Sequence, residues 1–326
     1  MSPIFLAADL WVLVLLGALA WAAWMQPRWL AAMADLHPEQ RARRLMGLAL
    51  APWALAWIAV ILAFLPTLLV EHGWIGDWCL SRNSGAAQAC PMHGVRDADS
   101  ASGALIALLF MLLAAVMLMR LAWMVQSALR TADRLQLVLR SRMQVDGLPV
   151  YFVDGAGSLA LALCLPSPRV VISAELRQSL DAHELRALIE HERAHLARRD
   201  GYSALVLNIA TSLLPPRARD ALRAAWQLAV EQSCDRIAAY RAGTLATSSA
   251  LLKCARLHAT QTTRNIPVGV AGFGDGEIAA RVRFLLEPPR LRAESGLWSG
   301  QWWLLAVPLA LILHELGEFV LLPLVR

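Results

Sequence analysis

Two histidines lie four residues apart in the segment ALIEHERAHLARRD, residues 187–200, and a glutamate directly follows the first. Residues four apart on an α-helix project from one face, about one turn from each other. His191 and His195 can therefore present two imidazole nitrogens to one zinc ion at about 2.0–2.1 Å. Glu192 stands beside His191, where its carboxylate can take a proton from an attacking water. The spacing predicts a zinc site that hydrolyses peptide bonds.

A hydrolytic zinc site needs a third protein ligand and leaves a fourth position for water. The predicted third ligand is Glu231 in the segment AVEQSCDRIAAY, because it lies on a later predicted helix. Asp235, four residues on, faces the same way and is predicted to accept a hydrogen bond from a ligand histidine. The alternative is an ordinary polar helix face, on which Glu190, Glu192 and the neighbouring arginines are solvated.

The elements that must position these residues form a small sheet followed by helices. Either Asp181 or Ser179 can cap a helix that runs through AHELRALIEHERAHLARR. Short β-branched and aromatic runs between Gly and Pro predict strands ahead of it: LPVYFVD at 148–154, LALALCL at 159–165 and RVVIS at 169–173. Further helices are predicted after it, at about these ranges: 201–214, 217–242, 246–260 and 276–287. The pattern is that of an α+β fold.

Two features near this site have more than one interpretation. RVVIS is either an exposed edge strand, to which an extended substrate could add, or a plain core strand. An Arg, His or Tyr could help zinc to stabilise the oxyanion, and the candidates are Arg281, Tyr240 and His258. No spacing rule selects any of the three, so each is more readily explained as a surface or packing residue.

The composition indicates a membrane protein, because 58% of the 326 residues are hydrophobic and a typical soluble domain has about 45–50%. Four long apolar runs predict transmembrane helices, at about 5–25, 46–70, 101–125 and 297–326. The first run lacks the basic start and cleavage site of a signal peptide, so we expect a retained span. The predicted organisation is listed by range: a transmembrane region at 1–125 with an outer loop at 71–100, a peptidase domain at 126–296, and a fourth span at 297–326.

Arginine distribution predicts the orientation. The loop 26–45 and the segment after the third span are rich in arginine, whereas the loop 71–103 has only Arg82 and Arg96. Arginine-rich flanks stay in the cytoplasm. We therefore expect a multi-pass protein of a bacterial inner membrane, with the domain 126–296 in the cytoplasm and the N-terminus outside. The net charge of +5 is explained by these flanks, so no nucleic-acid partner is expected.

Cysteine positions agree with this orientation. Cys79 and Cys90 lie in the predicted outer loop, where an oxidising compartment would allow a disulfide, but the spacing leaves paired and unpaired states open. Cys164, Cys234 and Cys254 fall on the predicted cytoplasmic side. They are expected to be reduced, buried thiols.

The segment IEHERAHLARRD followed by EQSCD resembles the BlaR/MecR family of membrane-embedded zinc metallopeptidases, whose best-known members sense β-lactams. The likeness covers nearly the whole chain, including GLPVYFVDGAG and CLPSPRVVIS ahead of the helix. The pair Cys234–Asp235 is more typical of this family than of its relatives. The resemblance implies a gluzincin-type fold with Asp235 near the site. It also implies that Glu192 is the catalytic residue and that the zinc ligands are His191, His195 and Glu231. Asp200 also matches the family pattern and is predicted to tie the helix end to Arg198 or Arg199.

One departure from the family affects the expected function. The β-lactam sensors carry a penicillin-binding domain outside the membrane, after the fourth span, whereas this sequence ends at Arg326. We therefore expect no such sensor here, and neither antibiotic sensing nor the family's substrate is carried over.

These features together predict an integral-membrane, Zn²⁺-dependent metalloendopeptidase that cleaves a cytoplasmic or membrane protein in regulatory or stress signalling. The expected partners are membrane lipid and a protein or peptide substrate, for which a repressor, a membrane protein and the chain itself are candidates. Two alternatives remain: an HtpX-like quality-control protease of the membrane, and a signalling scaffold whose zinc domain binds without cleaving.

Overall fold

The computed structural model describes residues 3–74, 89–90, 94–95, 100–145, 147–154, 159–164, 168–260 and 275–288. Three long helices come first: α1 Pro3–Ala32, α2 Pro38–Glu71 and α3 Ser100–Val138. Each contains a segment long and apolar enough to cross a membrane: Ala7–Ala32, Pro38–Leu65 and Phe110–Ser127. The predicted fourth span at 297–326 lies outside the described residues, as does Cys79 of the candidate disulfide.

Aromatic packing joins the three long helices. The ring of Trp11 on α1 lies 6.0 Å from that of Trp53 and 5.8 Å from that of Trp57, both on α2. It also meets Phe110 of α3 edge-on, with ring centroids 5.1 Å apart. Edge-to-face pairs at these distances add to the stabilisation from burial. The described parts of α1, α2 and α3 therefore form one bundle.

The sheet is small and mixed, as the α+β prediction requires. The strands are β1 Ala89–Cys90 and β2 Gly94–Val95, which form a short hairpin, and then β3 Leu139–Val145, β4 Leu148–Val153, β5 Ala160–Leu163 and β6 Arg169–Ser173. The last four form one sheet in the order β3-β4-β6-β5, with only β4 and β6 parallel.

Two predictions about these strands need correction. The sequence predicted no strand between the third span and LPVYFVD, but the chain leaves α3 at Val138 and forms β3. Gly147, with a φ of +79°, turns β3 back onto β4. The segment RVVIS is β6, which is buried and pairs with β4 on one side and β5 on the other. Its interpretation as an exposed edge was wrong, and the core-strand alternative is correct.

Six helices follow the sheet in the described part of the chain, and five of them agree closely with the predicted ranges. They are α4 Ala174–Ser179, which was not predicted, then α5 Ala182–Arg198, α6 Asp200–Ala210, α7 Pro216–Ala242, α8 Thr244–Thr260 and α9 Asp275–Leu286. The cap of α5 is Asp181, since its carboxylate accepts hydrogen bonds from the backbone N–H groups of His183 and Glu184. The Glu184 carboxylate in turn accepts from the Asp181 N–H, which completes a capping box.

Two apolar cores hold these helices in place. One core joins the sheet to α5 and α8, with Ile172, Leu188 and Ala250 among its buried residues. The other joins α1 and α2 to α6 and α7, with Leu45 and Trp226 among its buried residues. Consequently α5 and α7, the helices that carry the predicted zinc ligands, are fixed between the sheet and the long N-terminal helices.

Candidate metal centre

The site begins on α5, which positions the two histidines one turn apart. Their rings meet edge-on with centroids 4.8 Å apart, and His191 is buried. The helix ends at Arg199, which adopts the left-handed conformation with a φ of 57°. This residue reverses the chain so that α6 starts at once, at Asp200. The turn brings the Asp200 carboxylate back to the side chain of His195.

The three predicted ligands come together in the structure. His191 Nε2 lies 3.1 Å from His195 Nε2. On α7, Glu231 places Oε2 3.3 Å from His191 Nε2 and Oε1 3.6 Å from His195 Nε2. The Nε2 atoms and the carboxylate therefore point at a common position.

This arrangement fits a zinc ion. Donors held tetrahedrally at the usual zinc–nitrogen distance of about 2.0–2.1 Å lie about 3.3 Å from one another. The separations of 3.1, 3.3 and 3.6 Å among the three donor groups are close to that value. Two imidazoles and one carboxylate are also a known ligand set of hydrolytic zinc enzymes. Because the donors need only small shifts to bind, His191, His195 and Glu231 are the residues that could hold the metal.

Each histidine is oriented by a carboxylate at its other ring nitrogen. His191 Nδ1 lies 2.9 Å from Asp235 Oδ1, and His195 Nδ1 lies 2.9 Å from Asp200 Oδ2. An Nδ1–H that donates to a carboxylate leaves the Nε2 lone pair free for a metal and makes it more basic. The structure thus places Asp235 beside His191, one of the predicted zinc ligands.

Asp200 has a contact that the sequence analysis missed. We predicted a structural tie to Arg198 or Arg199, and Arg198 Nε does donate to both carboxylate oxygens, at 3.2 and 3.3 Å. The same carboxylate also faces His195, five residues earlier. Residues five apart on a regular helix do not face each other. A helix end predicted between His195 and Asp200 would therefore have been the sequence signal for this contact.

Arg281 of α9 completes the charged cluster. Its side chain is 2% exposed, and its Nε and Nη2 atoms each donate to Asp235 at 2.7 Å. Its Nη1 lies 3.0 Å from Glu231 Oε2. We expected a surface or packing residue, and that expectation was wrong for Arg281. It was correct for Tyr240, the second oxyanion candidate, which is 92% exposed.

These contacts determine the charges at the site. Burial raises the pKa of Glu231, but Arg281 and the two histidines outweigh burial and hold that pKa well below its usual range. Burial lowers the pKa of His191, but the hydrogen bonds to Asp235 and Glu231 outweigh it and raise the pKa to about 10. Without a metal, His191 therefore carries a proton that a metal ion must displace.

Two further side chains lie close to the ligands. Glu192 is buried, and no hydrogen bond or ion pair joins its carboxylate to another residue in the described part of the chain. Cys234 is fully buried, with Sγ 3.4 Å from His195 Nδ1 and 3.6 Å from Asp200 Oδ2. Burial raises the pKa of Cys234 far above its usual value, so the thiol is protonated when no metal is bound.

Comparison with known proteins finds a similarity for this part of the chain. Residues 142–256 match the model of peptidase family M48. The match runs from β3 to α8 and includes every site residue named above except Arg281. No curated protein and no solved structure matches the chain. This match does not confirm the BlaR/MecR type, so that finer resemblance depends on the sequence motifs. Residues 142–256 are therefore similar to peptidase family M48, which supports a metallopeptidase.

Proposed function

We propose that the protein is an integral-membrane zinc metalloendopeptidase that cleaves a cytoplasmic or membrane protein. The observation that carries this proposal is the convergence of His191 Nε2, His195 Nε2 and the Glu231 carboxylate within 3.1–3.6 Å. The adjacent Glu192 carboxylate has no protein partner in the described residues. The peptidase family M48 match over residues 142–256 supports the same conclusion independently.

In this proposal each side chain has one task. A bound zinc ion supplies a Lewis acid that activates water and polarises the scissile carbonyl. Glu192 accepts the proton of the attacking water and passes it to the leaving amine. Asp235 and Asp200 keep the two imidazoles in the tautomer that binds metal. Arg281 keeps Asp235 and Glu231 ionised within the buried site.

The sheet offers a place for an extended substrate. The strand β5 pairs with β6 along one side, and among the described residues no strand pairs with its other side. β5 also lies against α5, the helix that carries His191 and Glu192. A peptide that adds to a free strand edge gains backbone hydrogen bonds. We infer that the substrate lies along β5, the edge strand, instead of along RVVIS.

The proposed membrane placement is supported first by the three long apolar helices. Arg28 near the end of α1, the arginines in the first turns of α2 and those near the end of α3 favour a cytoplasmic location for the peptidase domain. We propose a multi-pass protein of a bacterial inner membrane with four spans. Limited proteolysis of inside-out and right-side-out vesicles would test this topology, since the domain should be cleaved only in inside-out vesicles.

The catalytic assignment is tested by Glu192→Gln. We expect cleavage of casein to fall by about 10²–10⁴-fold, the usual contribution of a general base. The zinc content of the purified variant should stay unchanged, because Glu192 is not among the converging ligands. His183→Gln is the matched control, because His183 is exposed on the same helix. Wild-type activity in Glu192→Gln would rule out the mechanism.

The same variant separates the proposed biological roles. Cellular proteins that accumulate when Glu192→Gln replaces the wild type are candidate substrates. Accumulation of one regulator such as a repressor supports regulatory signalling, which is the role we propose. A broad set of membrane proteins would instead support HtpX-like quality control. If no protein accumulates and the partners remain bound in both forms, the non-cleaving scaffold is favoured.

A further inference from the structure

The helix α6 and the turn after it lie beside the candidate membrane spans. Trp53 Nε1 donates a hydrogen bond of 2.8 Å to the backbone oxygen of Ala210, the last residue of α6. Ser212 Oγ lies 3.4 Å from Met117 Sδ on α3. Trp53 and Met117 are both inside segments apolar enough to cross a membrane.

The position of Trp53 along α2 indicates the depth of this contact. The last charged residue of α2 before Trp53 is Arg44, nine positions earlier. Nine residues of α-helix rise by about 13 Å. The end of α6 is therefore bonded to α2 well past Arg44, the last of the arginines at the start of that helix.

The composition of α6 and its turn suits an apolar environment. Between Asp200 and Arg217 the sequence GYSALVLNIATSLLPP contains no Asp, Glu, Lys, Arg or His. The outward side of α6 carries Tyr202, which is 42% exposed, and Val206, which is 43% exposed. These two residues are four apart and so lie on the same helix face.

The polar groups at the start of the turn are paired within the protein. Thr211 and Ser212 donate their hydroxyls to the backbone oxygens of Leu207 and Ile209, both at 2.7 Å. Their backbone N–H groups donate to the same two oxygens at 3.0 Å. Arg223 donates to the oxygen of Asn208 at 2.8 Å. Such internal pairing is required of backbone in hydrocarbon, where no water replaces a missing partner.

We propose that α6 and the turn Thr211–Pro215 are seated among the lipid acyl chains of the leaflet on the peptidase side, against α2 and α3. This inference rests on the membrane placement given under the proposed function. Its consequence concerns the metal centre, because α6 begins at Asp200, the residue that orients His195. The 11 residues of α6 span about 16 Å. The metal centre is thus held close to the membrane surface.

Site-specific photo-cross-linking tests the proposal in the full-length protein reconstituted in bacterial lipid nanodiscs. The probe p-benzoylphenylalanine replaces Val206 in one variant, Leu16 of α1 in a second and Tyr240 in a third. Leu16 is 57% exposed within a candidate span, whereas Tyr240 is 92% exposed near the far end of α7. After illumination, mass spectrometry measures the yield of lipid adducts at each position.

We expect the lipid-adduct yield at position 206 to approach that at position 16 and to exceed that at position 240 several-fold. A yield at 206 no higher than at 240, with strong labelling at 16, overturns this inference and leaves the membrane placement intact. Absence of lipid adducts at all three positions overturns both. If the Val206 variant does not accumulate, the probe in place of Tyr202 gives the same comparison at the start of α6.

Discussion

At the level of single residues, the candidate centre consists of two imidazole–carboxylate pairs and one carboxylate ligand. His191 is paired with Asp235, and His195 with Asp200. Each ring is thereby held with Nε2 toward Glu231. Such partners usually contribute substantially to metal affinity even though they do not touch the metal.

The Asp200 contact leads to a prediction about metal affinity. Asp200→Asn keeps the size of the side chain but removes the negative charge that holds the proton on His195 Nδ1. We expect the affinity for zinc to fall by about 10–100-fold, measured by competition with a fluorescent chelator. Asp220→Asn is the control, because that carboxylate lies on the surface of α7. Equal affinities of the two variants would contradict the assigned role of Asp200.

Arg281 leads to a prediction about stability. Arg281→Gln leaves Asp235 and Glu231 buried without the guanidinium that compensates them. Breaking a buried ion pair in this way costs about 3–5 kcal/mol, so the free energy of unfolding in urea should fall by that amount. Arg283→Gln, at an exposed position two residues on, should change it little. Matching denaturation curves for the two variants would show that Arg281 does not neutralise the carboxylates.

At the level of elements, the position of α5 depends on contacts at both of its ends. Its first turn is bound to α8, because the buried Glu184 carboxylate accepts hydrogen bonds from Lys253 Nζ and Ser249 Oγ, both at 2.6 Å. Its last turn ends at the left-handed residue Arg199. The helix α7 is bound to α2 through Gln232, whose Oε1 accepts from Arg41. The two ligand helices are therefore fixed to different neighbours.

The Glu184 contacts give a pH-dependent prediction. Burial raises the pKa of Glu184, but hydrogen bonds from Lys253, Ser249 and the Asp181 N–H outweigh it and lower the pKa below the usual 4.5. A lowered folded-state pKa means that the carboxylate stabilises the fold fully above pH 4.5. That stabilisation is lost as the pH falls through the folded-state pKa.

Glu184→Gln should therefore be less stable than the wild type at pH 7, by about 1–3 kcal/mol. The difference should shrink as the pH falls below 4.5. Urea unfolding followed by circular dichroism at several pH values measures it. Glu287→Gln, which replaces an exposed carboxylate, serves as the control. A difference that stays constant between pH 7 and pH 3 would contradict the assignment.

At the level of the whole molecule, the proposed metal joins two apolar cores. His191 and His195 are on α5, which packs on the sheet, whereas Glu231 is on α7, which packs on α1 and α2. An ion that binds the folded state alone stabilises it by an amount that rises with the logarithm of its concentration relative to the dissociation constant. Metal binding should therefore stabilise the connection between the membrane bundle and the peptidase domain.

Metal removal should accordingly lower the melting temperature. Zinc added back at about 100 times its dissociation constant should restore about 2.7 kcal/mol of stability. Differential scanning calorimetry of the chelator-treated protein, with and without zinc, measures the change. Glu192→Gln should respond as the wild type does, whereas His195→Ala should not respond. A response in His195→Ala equal to that of the wild type would place the zinc elsewhere.

The sequence predicted most elements but missed β1, β2, β3, α4 and the pairing of β6. The helices α5 to α9 carry caps, Pro or Gly at their ends and a helical spacing of apolar residues, and these signals act over a few positions. The segment LRSRMQV has no such signal, and it becomes a strand because β4 offers its backbone edge. RVVIS reads equally well as a core or an edge strand, and only its two neighbours decide that it lies inside the sheet.

The sequence by itself determined the helix that carries His191, Glu192 and His195, the helix that carries Glu231 and Asp235, and the apolar character of the first three helices. Helical spacing and local hydrophobicity are sufficient for that, since both depend on neighbours along the chain. Only the tertiary structure decided which carboxylate meets which histidine and that Arg281 neutralises two of the acids. Those contacts depend on how separate helices pack, and no sequence spacing specifies that packing.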